Sequence, residues 1–541
     1  MGILTFVEDR PTPKEVYNWR VYTASVVASW AACMIGYDSA FIGTTLALPS
    51  FVEEFQLDSK HMDPAKLALT KANIVSVYQA GAFFGAFGAY VSSYYLGRRK
   101  SLFIWCSVFI VGAGMMLGAN RERGLGLIIG GRVLAGLGVG GASNMVPIYI
   151  SELSPPAIRG RLVGIYELGW QIGGLVGFWI NYGLVETMAP SHSQWIIPFA
   201  VQLIPAGCLL IGAFWLKESP RWLFTKGKRE EALRNLCWIR NLPADNLYIV
   251  EEVAAIDAQI EHDRITIGPG FWSPFAALKN RKVLWRFFLG GMLFLWQNGS
   301  GINAINYYSP TVFRSIGITG TNTGFLTTGI FGVVKTVVTL FWLLWLIDRL
   351  GRRNLLMIGA AGGSFCMWFI GAYIKISGSG KTTNTSGDLS SGGIAAIFFF
   401  YLWTAFYTPS WNGTPWVINS EMFSQNTRSL GQASAAANNW FWNFIISRFT
   451  PQMFITMGYG VYFFFASLMI LSIPFVYFLI PETKSIPLEH MDELFEIKPV
   501  HQANRVLMQK LKEQEEDFRH DAEGAGLSYE KAKNDERVES V

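Results

Sequence analysis

Apolar residues along this chain fall into twelve long stretches, at about 21–48, 73–95, 101–119, 126–150, 161–183, 195–216, 285–309, 322–347, 354–375, 392–418, 430–454 and 459–480, separated by polar turns. A helix needs roughly 20 apolar residues to cross the hydrocarbon core of a bilayer. The pattern therefore predicts an all-α membrane protein of twelve transmembrane helices. The one long polar interval lies after the sixth stretch. It divides the chain into an N-terminus (1–20), a first six-helix bundle (21–216), a linker (217–284), a second six-helix bundle (285–480) and a tail (481–541).

The halves repeat their punctuation. Gly97-Arg98-Arg99 closes an early apolar stretch and Gly351-Arg352-Arg353 a later one. Glu152 stands seven residues before Arg159, as Glu421 does before Arg428. Lys217-Glu218-Ser219-Pro220 ends the first half and Pro481-Glu482-Thr483-Lys484 the second. Three markers in one order imply two pseudo-symmetric bundles, a common construction for transporters. The second GRR motif follows Asp348, whereas Tyr94 takes the corresponding place before the first, so the latch expected there is electrostatically lopsided.

Composition agrees: 51% hydrophobic and 15% charged residues with 55 glycines exclude a soluble globular chain. The net charge of +5 is spread over loops, which argues against a nucleic-acid partner. Five cysteines form no framework, and no metal-ligand pair, nucleophile with a base or phosphate loop is apparent. Neither an enzyme nor a cofactor is expected. Residues 1–20 lack an apolar core, so the first span is expected to direct insertion. Lys and Arg are similarly abundant in the short loops of both sides. The basic flanks of the 217–284 linker decide the orientation, placing it and both termini in the cytoplasm of a multi-pass plasma-membrane protein. Within the linker, 226–240 and 246–264 read as two charged helices able to brace the bundles. In the tail only 488–497 reads as a helix before a charged, disordered end. Asn384-Thr385-Ser386 is a glycosylation acceptor on the outer face.

A charge at mid-membrane costs about 2.5–3.5 kcal/mol on insertion scales, so each needs a partner or a purpose. Asp38, Arg132, Glu167 and Lys335 all fall within spans. Asp38 and Arg132 form either a structural ion pair or part of a proton pathway. Gly299-Ser300-Gly301 interrupts the seventh span, and Pro409, Gly413 and Pro415 the tenth; paired interruptions mark a binding site. Gln297, Asn298, Asn303, Tyr307 and Trp416 cluster at the breaks. Asn439 and Asn443 share a helix face, as do Glu167 and Gln171. Amides beside aromatic plates suit a polyhydroxylated ring. Each amide alone could equally join helices.

Gly36-Tyr37-Asp38, Gly131-Arg132 through Gly140, Glu152 through Arg161, Glu218-Ser219-Pro220-Arg221, Ser300 through Ala304 with Tyr307-Tyr308, Asp348 to Arg353, Pro415-Trp416, Glu421 with Arg428, and Pro481-Glu482-Thr483 carry a family pattern. On these the chain resembles the sugar porters of the major facilitator superfamily, over about residues 20–490. The resemblance implies two six-helix domains and alternating access. It also implies that Asp38 is the acidic residue of proton-coupled members and Arg132 its partner. Glu167, Asn298 and Asn439 replace glutamines of the pattern, and Lys335 lies near a binding-site asparagine. Those departures disfavour a plain hexose and suit a ring bearing a carboxylate, with Lys335 either holding that carboxylate or pairing with Glu167. The whole chain looks like the fungal quinate permeases.

The expected activity is proton-coupled import of a quinate-like acid, with substrate contacts from Glu167, Gln171, Gln297, Asn298, Asn303, Lys335, Trp416, Asn439 and Asn443. Arg98, Arg99, Glu152, Arg159, Asp348, Arg352, Arg353, Glu421 and Arg428 are expected to clamp the two domains together on the cytoplasmic side. Monosaccharide or polyol transport, coupled or facilitative, is the near alternative, and a non-transporting nutrient sensor the distant one.

Overall fold

The computed structural model describes residues 12–155, 158–266, 268, 270–317, 321–346, 350–378, 391–423, 425–484, 486 and 491–524. Asp348 and Asn384 lie outside the described residues, and so do the side chains of Arg159 and Arg428. The first half comprises α1 (Trp19–Thr45), α2 (Pro64–Leu96), α3 (Arg98–Leu117), α4 (Gly126–Leu153), α5 (Arg159–Thr187) and α6 (His192–Trp215). The linker contains α7 (Pro220–Thr225), α8 (Arg229–Arg240) and α9 (Leu247–Thr266). In the second half, α10 (Arg281–Gly299) and α11 (Ile302–Ile316) form the seventh span, α12 (Thr321–Phe341) the eighth and α13 (Arg352–Ser377) the ninth. The tenth joins α14 (Ser391–Tyr407) to α15 (Thr414–Met422), and α16 (Gln425–Met457) and α17 (Gly460–Leu479) complete the set.

Nine of the spans among the described residues are long and apolar enough to cross a bilayer on those grounds alone. The fifth, seventh and eleventh are the more polar: α5 carries Glu167, Gln171 and Asn181, α10 ends in Gln297 and Asn298, and α16 carries Asn438, Asn439 and Asn443. With them the fold is the twelve-helix arrangement expected. Across the halves, α2 packs on α16, α5 on α12 and α1 on α11. A six-span offset turns the second span into the eighth and the fifth into the eleventh, so the first two contacts are pseudo-symmetry mates.

Close helix approach rests on glycine. Gly136 and Gly140 of α4 lie on the backbones of Tyr78 and Ala82 in α2, and Gly173 and Gly177 of α5 lie on α1 at Cys33 and Tyr37. Small residues four apart let helix backbones approach when lipid, being equally apolar, gives no hydrophobic drive for association. These contacts set the spacing at which side chains of α1 and α4 meet.

Both ends of the described chain dock on the face that carries the two GRR loops. Asn18 donates to the Ile239 carbonyl and Arg20 to that of Trp238, each at 2.8 Å, strapping the N-terminus to α8. Arg240, held by Glu252, donates to the Leu153 carbonyl at 2.6 Å and so closes the end of α4. The tail departs from expectation. Of the 488–497 candidate, the described residues form a single turn, Met491–Leu494, whereas α18 (Ala503–Gly524) is a long helix in the stretch expected to be disordered. Ala503 and Leu507 share an apolar face that buries against Ile486, Met491 and Leu494, and Asn504 donates to the carbonyls of Glu482 and Lys484, both at 2.9 Å.

Gly140→Leu tests the helix spacing, because even a Cβ there would stand 2.6 and 2.7 Å from the Ala82 carbonyl carbon and Cα. Overpacking of this kind costs about 1–3 kcal/mol. Size-exclusion melting curves of the detergent-solubilised protein should show a lower midpoint for the variant.

Candidate functional site

Asp38 lies on α1 and Arg132 on α4, where Gly131 and Gly112 bring α4 against α3. Arg132 Nη1 donates to Asp38 Oδ1 at 3.0 Å, and both side chains are 0% exposed. The pair has one strand. Asp38 Oδ2 and Arg132 Nε and Nη2 have no hydrogen-bond partner, whereas a bidentate fork would occupy both carboxylate oxygens. A proton can therefore settle on Oδ2 without breaking an existing bond. The guanidinium also sits 4.7 Å from the centre of the Tyr78 ring. That π face continues to stabilise the cation when Asp38 is neutral.

Further along α1, Gly43 lies against the carbonyls of Asn306 and Tyr307 in α11. Tyr308 leaves helical geometry there (φ −128°, ψ 24°), two residues before Pro310. Pro310 offers no N–H to the preceding turn, which frees a carbonyl and bends the helix. The Tyr307 hydroxyl donates to the Gln79 amide oxygen at 3.0 Å and accepts from Asn443 at 3.4 Å, so it touches both halves. The Asp38 helix is thus in direct contact with the broken seventh span.

The residues expected to contact substrate converge. Glu167, Gln297, Asn298, Asn303, Lys335, Trp416, Asn439 and Asn443 line one cavity between the halves, and Gln171 lines an adjoining one that shares Trp170, Asn306 and Lys335 with it. Gly301, with φ +88°, lets the chain break between α10 and α11. This turn sets Asn303 next to Asn298, to which it donates, while Asn298 donates to Asn439 at 3.4 Å. In the tenth span a π-helical turn, Thr408–Asn412, separates α14 from α15. Its irregular backbone turns the Asn412 carbonyl toward Gln297 Nε2 (2.7 Å), and Asn412 Nδ2 donates across the halves to Glu167 Oε1 at 2.9 Å.

Asn412 also lines the cavity and was not among the expected contacts. In the sequence it is the first residue of an Asn-Gly-Thr sequon inside a span, directly before the Gly413 break, and that misplacement was its signal. Trp170, Asn306 and Tyr407 line the cavities with no such sign. Lys335 and Glu167 share the cavity and each feels the other's charge, yet among the described residues no ion pair of 4.0 Å or less joins them.

At the GRR face the expected clamp takes a different form. Arg98 binds both oxygens of Glu152 at 2.9 and 2.7 Å, and Arg352 binds Glu421 at 3.0 Å. Each pair is internal to one half, because the carboxylate that follows each GRR loop in space comes from the neighbouring helix end of the same bundle. Arg99 caps the carbonyls of Ala213 and Phe214, and Arg353 that of Tyr477. Two further carboxylates do the anchoring. Glu218 accepts from the backbone N–H groups of Arg98 and Arg99 at 2.8 and 3.2 Å, and Glu482 from those of Arg352 and Arg353, both at 2.9 Å. A carboxylate at a helix N-terminus satisfies otherwise orphaned donors and faces the positive end of the dipole. Gly97 (φ +88°) and Gly351 (φ +80°) make room for them. The repeated KESP and PETK motifs were the visible trace of this arrangement.

Twelve helices in two like halves, closing on a polar cavity at mid-membrane, define a secondary transporter of the major facilitator type. A family model described as "Sugar (and other) transporter" matches residues 24–495, and the chain belongs to that family. It is 75% identical to the quinate permease of Neurospora terricola over 94% of this chain and 95% of that one. To the probable quinate permease of Aspergillus flavus it is 69% identical over 97% and 98%. Among solved structures, the proton:xylose symporter XylE bound to 6-bromo-6-deoxy-D-glucose shares 27% identity over 88% of this chain and 99% of that one, with a TM-score of 0.70. The partially occluded inward open xylose transporter XylE from E. coli shares 26% over 87% and 100%, with a TM-score of 0.72.

Burial holds the Glu218 carboxyl above its ordinary value of 4.5, against the opposing N–H bonds from Ser219, Arg98 and Arg99. The folded protein then binds that proton more tightly than the unfolded chain, so stability falls as pH rises from about 4.5 through the raised value and is level above it. Melting midpoints of wild type and Glu218→Gln across that window should differ in slope, with the glutamine variant flatter.

Proposed function

We propose that this chain is a proton-coupled symporter that imports a quinate-like cyclic polyhydroxylated acid across the plasma membrane, with both termini and the linker in the cytoplasm. The observation that carries the reading is Lys335, a buried cation with no ion-pair partner within 4.0 Å among the described residues, in a cavity otherwise rich in amides. A carboxylate is the group such a cation recognises. Amides at the rim and the Trp170 and Trp416 plates suit hydroxyls and a ring face. High identity to proteins named quinate permease supports the same substrate class. Likeness to a xylose symporter favours a second reading, a neutral monosaccharide or polyol, which leaves Lys335 without a task.

Asp38 and Arg132 carry the coupling in this reading. Protonation of Asp38 on Oδ2 from outside weakens its hold on Arg132, whose guanidinium remains on the Tyr78 face. The contact of α1 with Asn306 and Tyr307 then relays the change to the broken seventh span, and inward opening releases proton and substrate. The Arg98–Glu152 and Arg352–Glu421 pairs, with Arg99 and Arg353, keep each half rigid at the cytoplasmic face while the halves rock. Arg159, Arg428 and Asp348 join them by motif, and Asn384 by its sequon stands on the outer face.

Uptake of labelled quinate, hexoses and polyols into a host lacking such carriers, at two external pH values, tests the reading. Quinate accumulation should rise with external acidity. Lys335→Met should lower quinate uptake about 10- to 100-fold, the equivalent of a lost charged hydrogen bond of about 1.5–3 kcal/mol. Asp38→Asn should end uphill accumulation while sparing exchange. Preference for a hexose over quinate, or accumulation unaffected by Asp38→Asn, would reject the proposal.

A further inference from the structure

Among the described residues, Glu167 is the one acidic side chain lining the substrate cavity. Among the described residues, both of its hydrogen bonds fall on the same oxygen: Gln171 from its own helix and Asn412 from the opposite half donate to Oε1, each at 2.9 Å. A proton on Oε2 therefore leaves both donors in place. The ionisable groups around it are Lys335 from α12, Tyr407 beside the tenth-span break and Tyr166 on α5 itself. The α10, α11 and α16 walls contribute amides, and on the α1 and α4 side the charged groups are Asp38 and Arg132, which are bonded to each other. Lys335 is thus the cation available to balance Glu167.

We propose that Glu167 is a second proton-binding site, loaded together with the anionic end of the substrate. This rests on the reading that the substrate is a carboxylate. In the empty carrier, ionised Glu167 and Lys335 balance one another at a distance, and the cavity can cross the membrane neutral. When a substrate carboxylate pairs with Lys335 Nζ, one cation faces two carboxylates in a site closed to water, where like charges disfavour joint ionisation. A proton taken from the outer solution onto Glu167 Oε2 restores neutrality. Its loss to the inner solution accompanies release of the anion. A proton on Glu167 without the anion would leave Lys335 unbalanced, so proton and substrate cross together. The Asn412 donor stays on Oε1 throughout, and the tie between the halves survives loading. With the proton on Asp38, two protons then accompany one monoanion, and each cycle moves one net positive charge inward.

The charge moved per quinate molecule distinguishes this from a single-proton cycle, which is electroneutral. In proteoliposomes with simultaneous tracer flux and current, the wild type should move about one charge per quinate. At zero potential its accumulation limit should rise about 100-fold per pH unit, since each proton contributes a factor of ten. Glu167→Gln should bring the ratio toward zero and the limit toward about tenfold, a stoichiometric readout independent of how slowly the variant turns over. Should that variant not turn over, quinate added to weakly buffered detergent-purified protein supplies the second measurement. Asp38→Asn should take up a proton with the quinate it binds, and the double variant Asp38→Asn/Glu167→Gln none.

Wild-type quinate flux without current overturns the second proton and leaves the importer standing. A Glu167→Gln variant that still moves one charge per quinate, or an Asp38→Asn/Glu167→Gln variant that still takes up a proton, overturns the assignment to this residue. Uptake of a neutral polyol but not of quinate overturns the functional reading and this inference with it.

Discussion

A polar side chain buried in a bilayer has no water to fall back on, so another part of the protein must answer it. That constraint shapes the first half around Asp38 and Arg132. Their single bond is short enough to form only because α4 lies directly on α2 and α3, and α1 on α5, through glycines whose missing Cβ atoms would collide with backbone. The bond is also spare. Half of the carboxylate and most of the guanidinium are uncommitted, and the Tyr78 ring waits beneath the cation. A pair built for maximum stability would have used the fork. Were this one to lose its ionic character, the Tyr78 face would remain beside the Arg132 cation.

The same constraint is met differently at mid-membrane in the second half. There the groups are amides, in two sets: Gln297 donates to the Asn412 carbonyl, while Asn303 donates to Asn298 and Asn298 to Asn439. The break in the tenth span supplies the backbone carbonyl that Gln297 binds. Glu167 is the first half's entry into this network, through Asn412. At the GRR face, by contrast, the halves are nearly identical, since Glu218 and Glu482 cap equivalent helix ends with equivalent N–H groups. Scaffold is duplicated while chemistry is divided, the arrangement a rocking carrier needs: rigid bodies at the ends and a mixed site between them.

Much of this could be read from the chain. The twelve spans, both helix breaks and the charged residues Asp38, Arg132, Glu167 and Lys335 within them are local features of pattern or composition, and the repeated loop motifs announced the two like halves. What escaped was of two kinds. The α18 helix was hidden because its charged surface outweighs a narrow apolar face that has meaning only against Ile486, Met491 and Leu494. Asn412 was marked only by a sequon inside a span, because its role depends on a π-turn, which no periodicity displays.

The sequence by itself determined how many times the chain crosses the bilayer, where its helices break and which charges are placed inside, since each follows from residue type within a window of about 20 positions. Tertiary structure alone decided who partners whom. Arg98 meets Glu152 and Arg352 meets Glu421 within their own halves, Arg132 meets Asp38, and Lys335 remains beyond ion-pair distance of Glu167. These outcomes depend on the rotation and depth of helices far apart in the chain, set by glycine contacts between them, and a shift of one turn would exchange the partners.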